Sequence, residues 1–299
     1  MKKVFVLILV LIISLQTYSQ NKNKVNLYFN EDFENINQSE FNLRKNCYLF
    51  YEKKIETDTT IVHHLKQTIK FGTLNSNEYK QLRLILSKSY GIDASSNKTL
   101  ILQYKDTLFG FYERKIKSKP YIHTIPNGDT LNISLTKSLY IKRRKVFDDY
   151  QKKCIRKVSK KNIIPIYLYT ENVGYNYENK NVNWKKVNRI VKNIFFNNGA
   201  TMIYLKSNGD YFSFTEWYRD KTESLLYSND WSKPMSDYSK ILNTLSQVPI
   251  GFFNHKTKRT NSSSTYRLPL NSNKEDFRRA HISHQLNSVK SDCYLYSAY

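Results

Sequence analysis

Ten cations crowd the segment from Lys142 to Lys161: Lys142, Arg143, Arg144, Lys145, Lys152, Lys153, Arg156, Lys157, Lys160 and Lys161, against the two acids Asp148 and Asp149. A net charge of +8 over one segment attracts phosphate, sulfate or carboxylate groups, so these ten residues are the anion-binding candidates. The same cations would also serve as the solvated face of an ordinary amphipathic helix. Cys154 lies among them, and Lys152, Lys153, Arg156 and Lys157 would lower the pKa of a nucleophilic thiol there. Its place on the apolar stripe Phe147, Tyr150, Cys154 and Val158 argues instead for a buried structural cysteine.

The remaining chemistry-bearing residues are scattered. His281 and His284 stand three apart, a spacing at which one helical face presents two imidazoles to a metal. Asp276 falls off that face and no third ligand is indicated, so a surface His pair is expected, with neither metal nor cofactor. His63 and His64 are adjacent and point to opposite faces of a strand, whereas His123 shares the face of Tyr121 and Ile125, as a half-buried structural histidine does. Glu113 and Glu216 could pair for general acid and base work, yet each neighbours an arginine, Arg114 or Arg219, which favours surface charge pairing. The triplet Asn-Gly-Asp occurs at Asn127 and again at Asn208. Too few acids surround either copy for calcium, and strands flank both, so each reads as a hairpin turn built on Asn-Gly.

The chain of 299 residues opens with Lys2, Lys3 and an apolar run from Val4 to Leu15, followed by a short polar stretch. That is the layout of a cleaved secretory signal peptide over 1–19, and the run is too short to span a bilayer. No cysteine stands at the cut to be acylated, and no later apolar run reaches spanning length. The expected product is therefore an exported soluble protein, periplasmic or extracellular. The three cysteines, Cys47, Cys154 and Cys293, show no C-x-x-C; in an oxidising compartment they allow one disulfide and one odd thiol, with the pairing left open. The formal charge of +23 again points to an anionic partner, although a Lys-rich composition with 24 Tyr also reflects A/T-rich codons.

The elements that must position these residues follow from periodicity. After a lead-in segment over 20–45 with a strand at Val25 to Phe29, strands are expected over "NCYLFYEKKI" and "TIVHHLKQTIKF". A helix capped by Ser76 or Asn77 carries Tyr79, Leu82, Ile85, Leu86 and Tyr90 inward and stops at Gly91. Strands at Leu100 to Tyr104 and Thr107 to Glu113 form a hairpin, and a second hairpin turns at Asn127. The basic helix runs from Ser138 to Ser159, "NIIPIYLYT" is a buried strand with Pro165 at an edge or bulge, and Trp184 to Phe195 is a helix with Val187, Ile190, Val191 and Ile194 inward. The hairpin of Ile203 to Phe214 and two helices, near Ser236 to Gln247 and Asn273 to Val289, complete the chain.

The stretch from Tyr79 to Glu113 and the stretch from Trp184 to Glu216 both read as an aromatic-Lys helix, a spacer and two strands, with Phe109/Phe212, Phe111/Phe214 and Glu113/Glu216 in register. This suggests an α+β fold of tandem strand, helix, hairpin, helix repeats with mixed sheets: a first unit over 46–136, a basic connecting helix over 137–161, a second unit over 162–250, and a polar loop with the C-terminal helix over 251–299. The element order resembles the latter part of a thioredoxin-like fold in topology alone; neither its C-x-x-C nor the proline before its third strand is present, so no redox activity is implied. The functional expectation is a non-catalytic protein that binds a polyanion or anionic surface, of unassigned enzyme status. The alternatives are an extracytoplasmic hydrolase built from scattered His, Asp and Glu residues, and a structural envelope-associated protein.

Overall fold

The computed structural model describes residues 24–93, 97–118, 120–124, 130–176, 181–215, 222–254 and 274–288. The expected signal peptide over 1–19, the expected turn at Asn127, Gly128 and Asp129, Glu216, Arg219 and Cys293 lie outside them, as do the side chains of His123, His281 and His284. The architecture is α+β with mixed sheets, and the chain divides into two compact units, 1–67 with 241–248 and 68–240 with 249–299.

In the first unit β1 (Val25–Phe29) lies parallel to β3 (Thr60–Gln67), which pairs antiparallel with β2 (Phe50–Glu56). Helix α1 (Gln38–Asn46), capped by the Asn37 side chain accepting from the Glu40 amide, buries Phe41 against Tyr28 and His63, and Leu49 and Leu65 of the same unit are also fully buried. The expected opposite placement of the adjacent histidines holds. His63 stacks on Tyr28 with centroids 4.7 Å apart, and its Nε2 is 2.8 Å from Asn26 Oδ1. His64 is buried against Phe33.

The second unit is built on one six-stranded sheet, ordered β4-β11-β10-β5-β8-β9. In chain order its elements are β4 (Ile69–Thr73), α2 (Ser76–Tyr90), β5 (Thr99–Phe109), α3 (Phe111–Lys117), β6 (Tyr121–Thr124), β7 (Thr130–Ile133) and α4 (Lys137–Ser159). Then come β8 (Ile163–Val173), β9 (Trp184–Lys186), α5 (Arg189–Phe195), β10 (Met202–Leu205), β11 (Asp210–Phe214), α6 (Thr222–Tyr227), α7 (Ser232–Thr244) and α8 (Lys274–Ser288). Strands β5, β8 and β9 run parallel, while β4, β11, β10 and β5 pair antiparallel in sequence. The sheet therefore takes β4 and β5 from the expected 46–136 unit and β8 to β11 from the expected 162–250 unit.

Alternation along β5 sends Leu100, Leu102 and Tyr104 to one face, where they pack with Ile166, Leu168, Ile203 and Leu205 under Leu82 and Leu86 of α2 and Val191 and Phe195 of α5. The opposite face carries two clusters. Phe147 of α4 meets Tyr167 and Trp184, and Phe71 is ringed by Phe212, Trp231, Tyr238 and Phe253, with centroids 4.6 to 6.2 Å away.

Several expected elements move. The cap of α2 is Asn75, one residue earlier than expected, in a reciprocal capping box with Glu78. Where a hairpin was expected between Leu100 and Glu113, β5 runs unbroken through Lys105 and Asp106 because β8 pairs with it along almost its full length, and α3 follows. Trp184 belongs to β9 rather than to a helix; Asn188 caps the shorter α5, which buries Val191 and Phe195 and leaves Ile190 and Ile194 exposed. Pro165 sits on β8 where β9, paired only with Tyr167 to Tyr169, leaves one side of the strand without a neighbour among the described residues. Asn208-Gly209 does form the β10–β11 turn, with Gly209 at φ +92° and the Asn208 side chain accepting from the Asp210 amide.

Candidate anion-binding cleft

Helix α4 starts at Thr136, whose hydroxyl accepts from the Leu139 amide, and it buries Leu139, Tyr140, Arg144, Phe147, Gln151, Cys154 and Val158. From Tyr140 to Val158 those positions advance by alternating steps of four and three, the spacing of a helical face against a sheet. Arg144 is thus on the inward stripe. Lys142, Lys145, Lys152, Lys153, Arg156, Lys157, Lys160 and Lys161 are exposed, and Arg143 is half-buried. The helix separates the ten candidates into an outer cationic face and one inward guanidinium.

Arg144 lines a cleft of about 230 Å³, counting the solvent at its mouth, together with Lys105, Thr107, Leu108, Phe109, Arg114, Tyr175 and Trp184. The cleft lies at the carboxyl ends of the parallel strands β5 and β8, the place where open α/β sheets commonly seat ligands. Its floor is fixed by backbone geometry. The Gly110 amide donates to the Val173 carbonyl at 2.8 Å, and Gly174 turns the chain at φ +69°. A Cβ on Gly174 would meet the Glu113 carboxylate oxygens at 2.8 Å, and one on Gly110 would meet the Gly174 carbonyl oxygen at 2.0 Å, so both positions admit only glycine without rearrangement. Asn172 then locks the turn from both sides, accepting from the Tyr175 amide at 2.9 Å and donating to the Tyr175 carbonyl at 3.0 Å.

Arg144 is only 4% exposed. Its guanidinium carbon lies 5.1 Å from the ring centroid of Tyr140 and 5.1 Å from that of Tyr175. Among the described residues it makes no hydrogen bond or ion pair, and its Nε is buried with no hydrogen-bond partner. Buried charges are ordinarily paired, because desolvating an ion without a counter-charge is costly. Burial raises the Tyr175 phenol above its ordinary pKa, with Arg144 opposing that shift and Tyr140 and Asp148 reinforcing it, so the hydroxyl remains a donor at neutral pH. Lys105 and Arg114 are half-buried at the sides, and Lys117 sits 3.8 Å from the Phe109 ring centroid. The lining set holds three cations, two hydroxyls and the three apolar or aromatic walls Leu108, Phe109 and Trp184, with no carboxylate among them.

On the other face of the same strand ends, the Tyr104 hydroxyl donates to Asp106 at 2.8 Å and lies 2.5 Å from Thr170 Oγ1, while Lys192 donates to Thr170 at 3.0 Å. This network is internally satisfied and reads as a fastening between β5, β8 and α5. Cys154 is fully buried and disulfide-bonded, and so is not a free nucleophile; Cys47 is a buried free thiol. Glu113 is packed against the glycine pair, and its expected partner Glu216 is outside the described residues. The described residues contain no cluster of three or more His, Cys, Asp or Glu side chains able to hold a metal ion, and no helix long and apolar enough to cross a membrane.

Sequence reasoning ranked Arg144 with its neighbours and missed Lys105, Arg114, Tyr175 and Trp184 as its companions. The signal for Arg144 was its register with Tyr140, Phe147 and Cys154. The others come together only through the parallel pairing of β5 with β8, which separates Lys105 from Tyr175 by 70 positions along the chain. Comparison with protein-family models, with curated proteins and with solved structures finds no match to this chain.

Proposed function

We propose that this chain is a non-catalytic binding protein for an anionic partner, gripping one anionic group with Arg144 and drawing the partner in with the outer cations of α4. The observation that carries the reading is the buried Arg144 guanidinium, which faces a cleft without a carboxylate to balance it. An anion entering the cleft would supply the missing counter-charge in a site of low dielectric, where charge-assisted hydrogen bonds are strongest. The exposed lysines and arginines of α4 act at longer range, raising the encounter rate and adding salt-sensitive affinity. Export through the N-terminal signal sequence belongs to the same proposal, and the disulfide at Cys154 supports it, since such bonds persist in oxidising compartments.

The test is the affinity for heparin, a polymer bearing sulfate and carboxylate, measured at low and high salt for the wild type, Arg144→Gln, and a variant with Lys152, Lys153, Arg156 and Lys157 all changed to Gln. Binding that weakens with salt and weakens in both variants supports the reading. Absence of binding at low salt, or binding indifferent to both variants, refutes it.

A further inference from the structure

Resting on the reading of α4 as a cationic face, we infer that α3 docks the chain on a membrane surface bearing anionic headgroups, with Tyr112 and Ile116 entering the interface. The apolar pair comes first. Tyr112 is 68% exposed and Ile116 85%, and at a spacing of four they stand on one side of α3. Phe111, Glu113 and Arg114 of the same helix are half-buried, so α3 turns its polar and aromatic remainder inward and its isoleucine out. At seven residues α3 is far too short to cross a bilayer and would lie at its surface.

The mounting comes second. The Phe111 ring lies 5.7 Å from that of Tyr140, Lys117 sits 3.8 Å from the Phe109 ring centroid, and the Gly110 amide donates to the Val173 carbonyl. The helix is thus fastened to β5, β8 and the start of α4. Its exposed pair is held out by packed structure.

Charge chooses the partner. Glu113 is the only acid from Phe111 to Ser118, and it is half-buried in the room that Gly110 and Gly174 leave for it. Lys115 and Lys117 are exposed on α3, as are Lys137, Lys142 and Lys145 on the first half of α4, where Ile141 is exposed as well. A second copy of this chain would set these lysines against one another. A sulfated polysaccharide would pair with the lysines and leave Tyr112 and Ile116 in water. An anionic bilayer answers both features, offering headgroup phosphates to the lysines and the acyl boundary to an isoleucine and to a tyrosine whose hydroxyl stays on the wet side.

Co-sedimentation of the exported, disulfide-intact protein with vesicles of phosphatidylcholine alone, or of phosphatidylcholine mixed with phosphatidylglycerol, tests this. The wild type is expected to bind the mixed vesicles at least about ten-fold more tightly than the neutral ones, and less tightly as salt rises. Tyr112→Ser combined with Ile116→Ser should weaken that binding about ten-fold while leaving heparin affinity and the melting profile unchanged, because both side chains are exposed. In Ile116→Trp, vesicles with brominated acyl chains should quench tryptophan emission beyond the wild-type level. Wild-type vesicle affinity in the double variant, no added quenching in Ile116→Trp, or no preference for the mixed vesicles overturns the inference. If heparin binding persists and remains sensitive to Arg144→Gln while vesicle binding fails, only this inference falls; if heparin binding also fails, the proposed function falls with it.

Discussion

The Arg144 guanidinium and the Tyr175 ring, 31 positions apart in sequence, meet at 5.1 Å in a cleft whose turn is set by Gly174. The contact joins the buried stripe of α4 to the carboxyl end of β8, placing a charge where a structural role alone would favour an apolar side chain. Its consequences can be measured.

Removing Arg144 should cost little stability. A buried charge that balances a buried partner typically costs about 3–5 kcal/mol when its pair is broken. Arg144 leaves no carboxylate stranded, and its two ring contacts, worth about 0.5–1 kcal/mol each, oppose a desolvation cost of similar or greater size. Arg144→Met is therefore expected to leave the unfolding free energy within about 1 kcal/mol of wild type, or to raise it, while weakening heparin binding about ten-fold. Urea unfolding of the ligand-free protein checks this, and a loss of about 3 kcal/mol or more would mean that the guanidinium is structural.

The glycines give an internal comparison. Gly91 and Gly174 have similar positive φ values, but a Cβ on Gly91 meets nothing within 4 Å whereas one on Gly174 meets the Glu113 carboxylate. Gly91→Ala should cost about 1 kcal/mol of backbone strain. Gly174→Ala should cost more, about 1–3 kcal/mol, and should weaken anion binding because Tyr175 moves with the turn. Equal effects of the two substitutions on stability and binding would contradict the account of the cleft floor.

His64 predicts a pH dependence in the first unit. Burial is the main cause of its lowered pKa, with Lys66 and Lys53 adding to it and backbone contacts at Glu31 and Asn30 opposing. The folded pKa lies below the ordinary 6.5, so the unfolded chain binds more protons as the pH falls past that value. Stability is thus full above about pH 6.5 and declines below it until the folded pKa is reached. Thermal melts from pH 8 to 5 should show this decline, with a shallower slope in His64→Phe. An unchanged slope would remove His64 as its cause.

The cysteines predict a definite redox map. Cys154 is bonded and Cys47 is free. Peptide mapping of the native protein should find Cys154 cross-linked to Cys293. Cys47, fully buried and with its thiol pKa raised by burial, should alkylate only after unfolding. Reduction should lower stability by about 2–5 kcal/mol. Ready alkylation of Cys154 in the unreduced protein would contradict the assignment.

The legibility of this fold in its sequence was uneven for physical reasons. Local signals were dependable where one residue's chemistry fixes the outcome: Gly91 ending α2, Asn208-Gly209 turning β10 into β11, and the length of α4 all stand close to where periodicity put them. Tertiary pairing overrode local patterns elsewhere. Lys105 and Asp106 look like a turn, yet β8 draws them into one long strand, and Trp184 looks like a helix start, yet β8 pairs with it as a strand. The spacing of Arg144 from Tyr140 and Phe147 already placed it on the inward face. Its positive charge concealed that, because a cation among nine others reads as solvated until the structure shows which way it turns.

Heparin binding compared between wild type and Arg144→Gln at low salt tests the central claim most directly. A loss of about ten-fold or more in the variant, with an unchanged melting profile, is the predicted result, since one buried charge-assisted contact is removed. Equal affinity in the two proteins would contradict it.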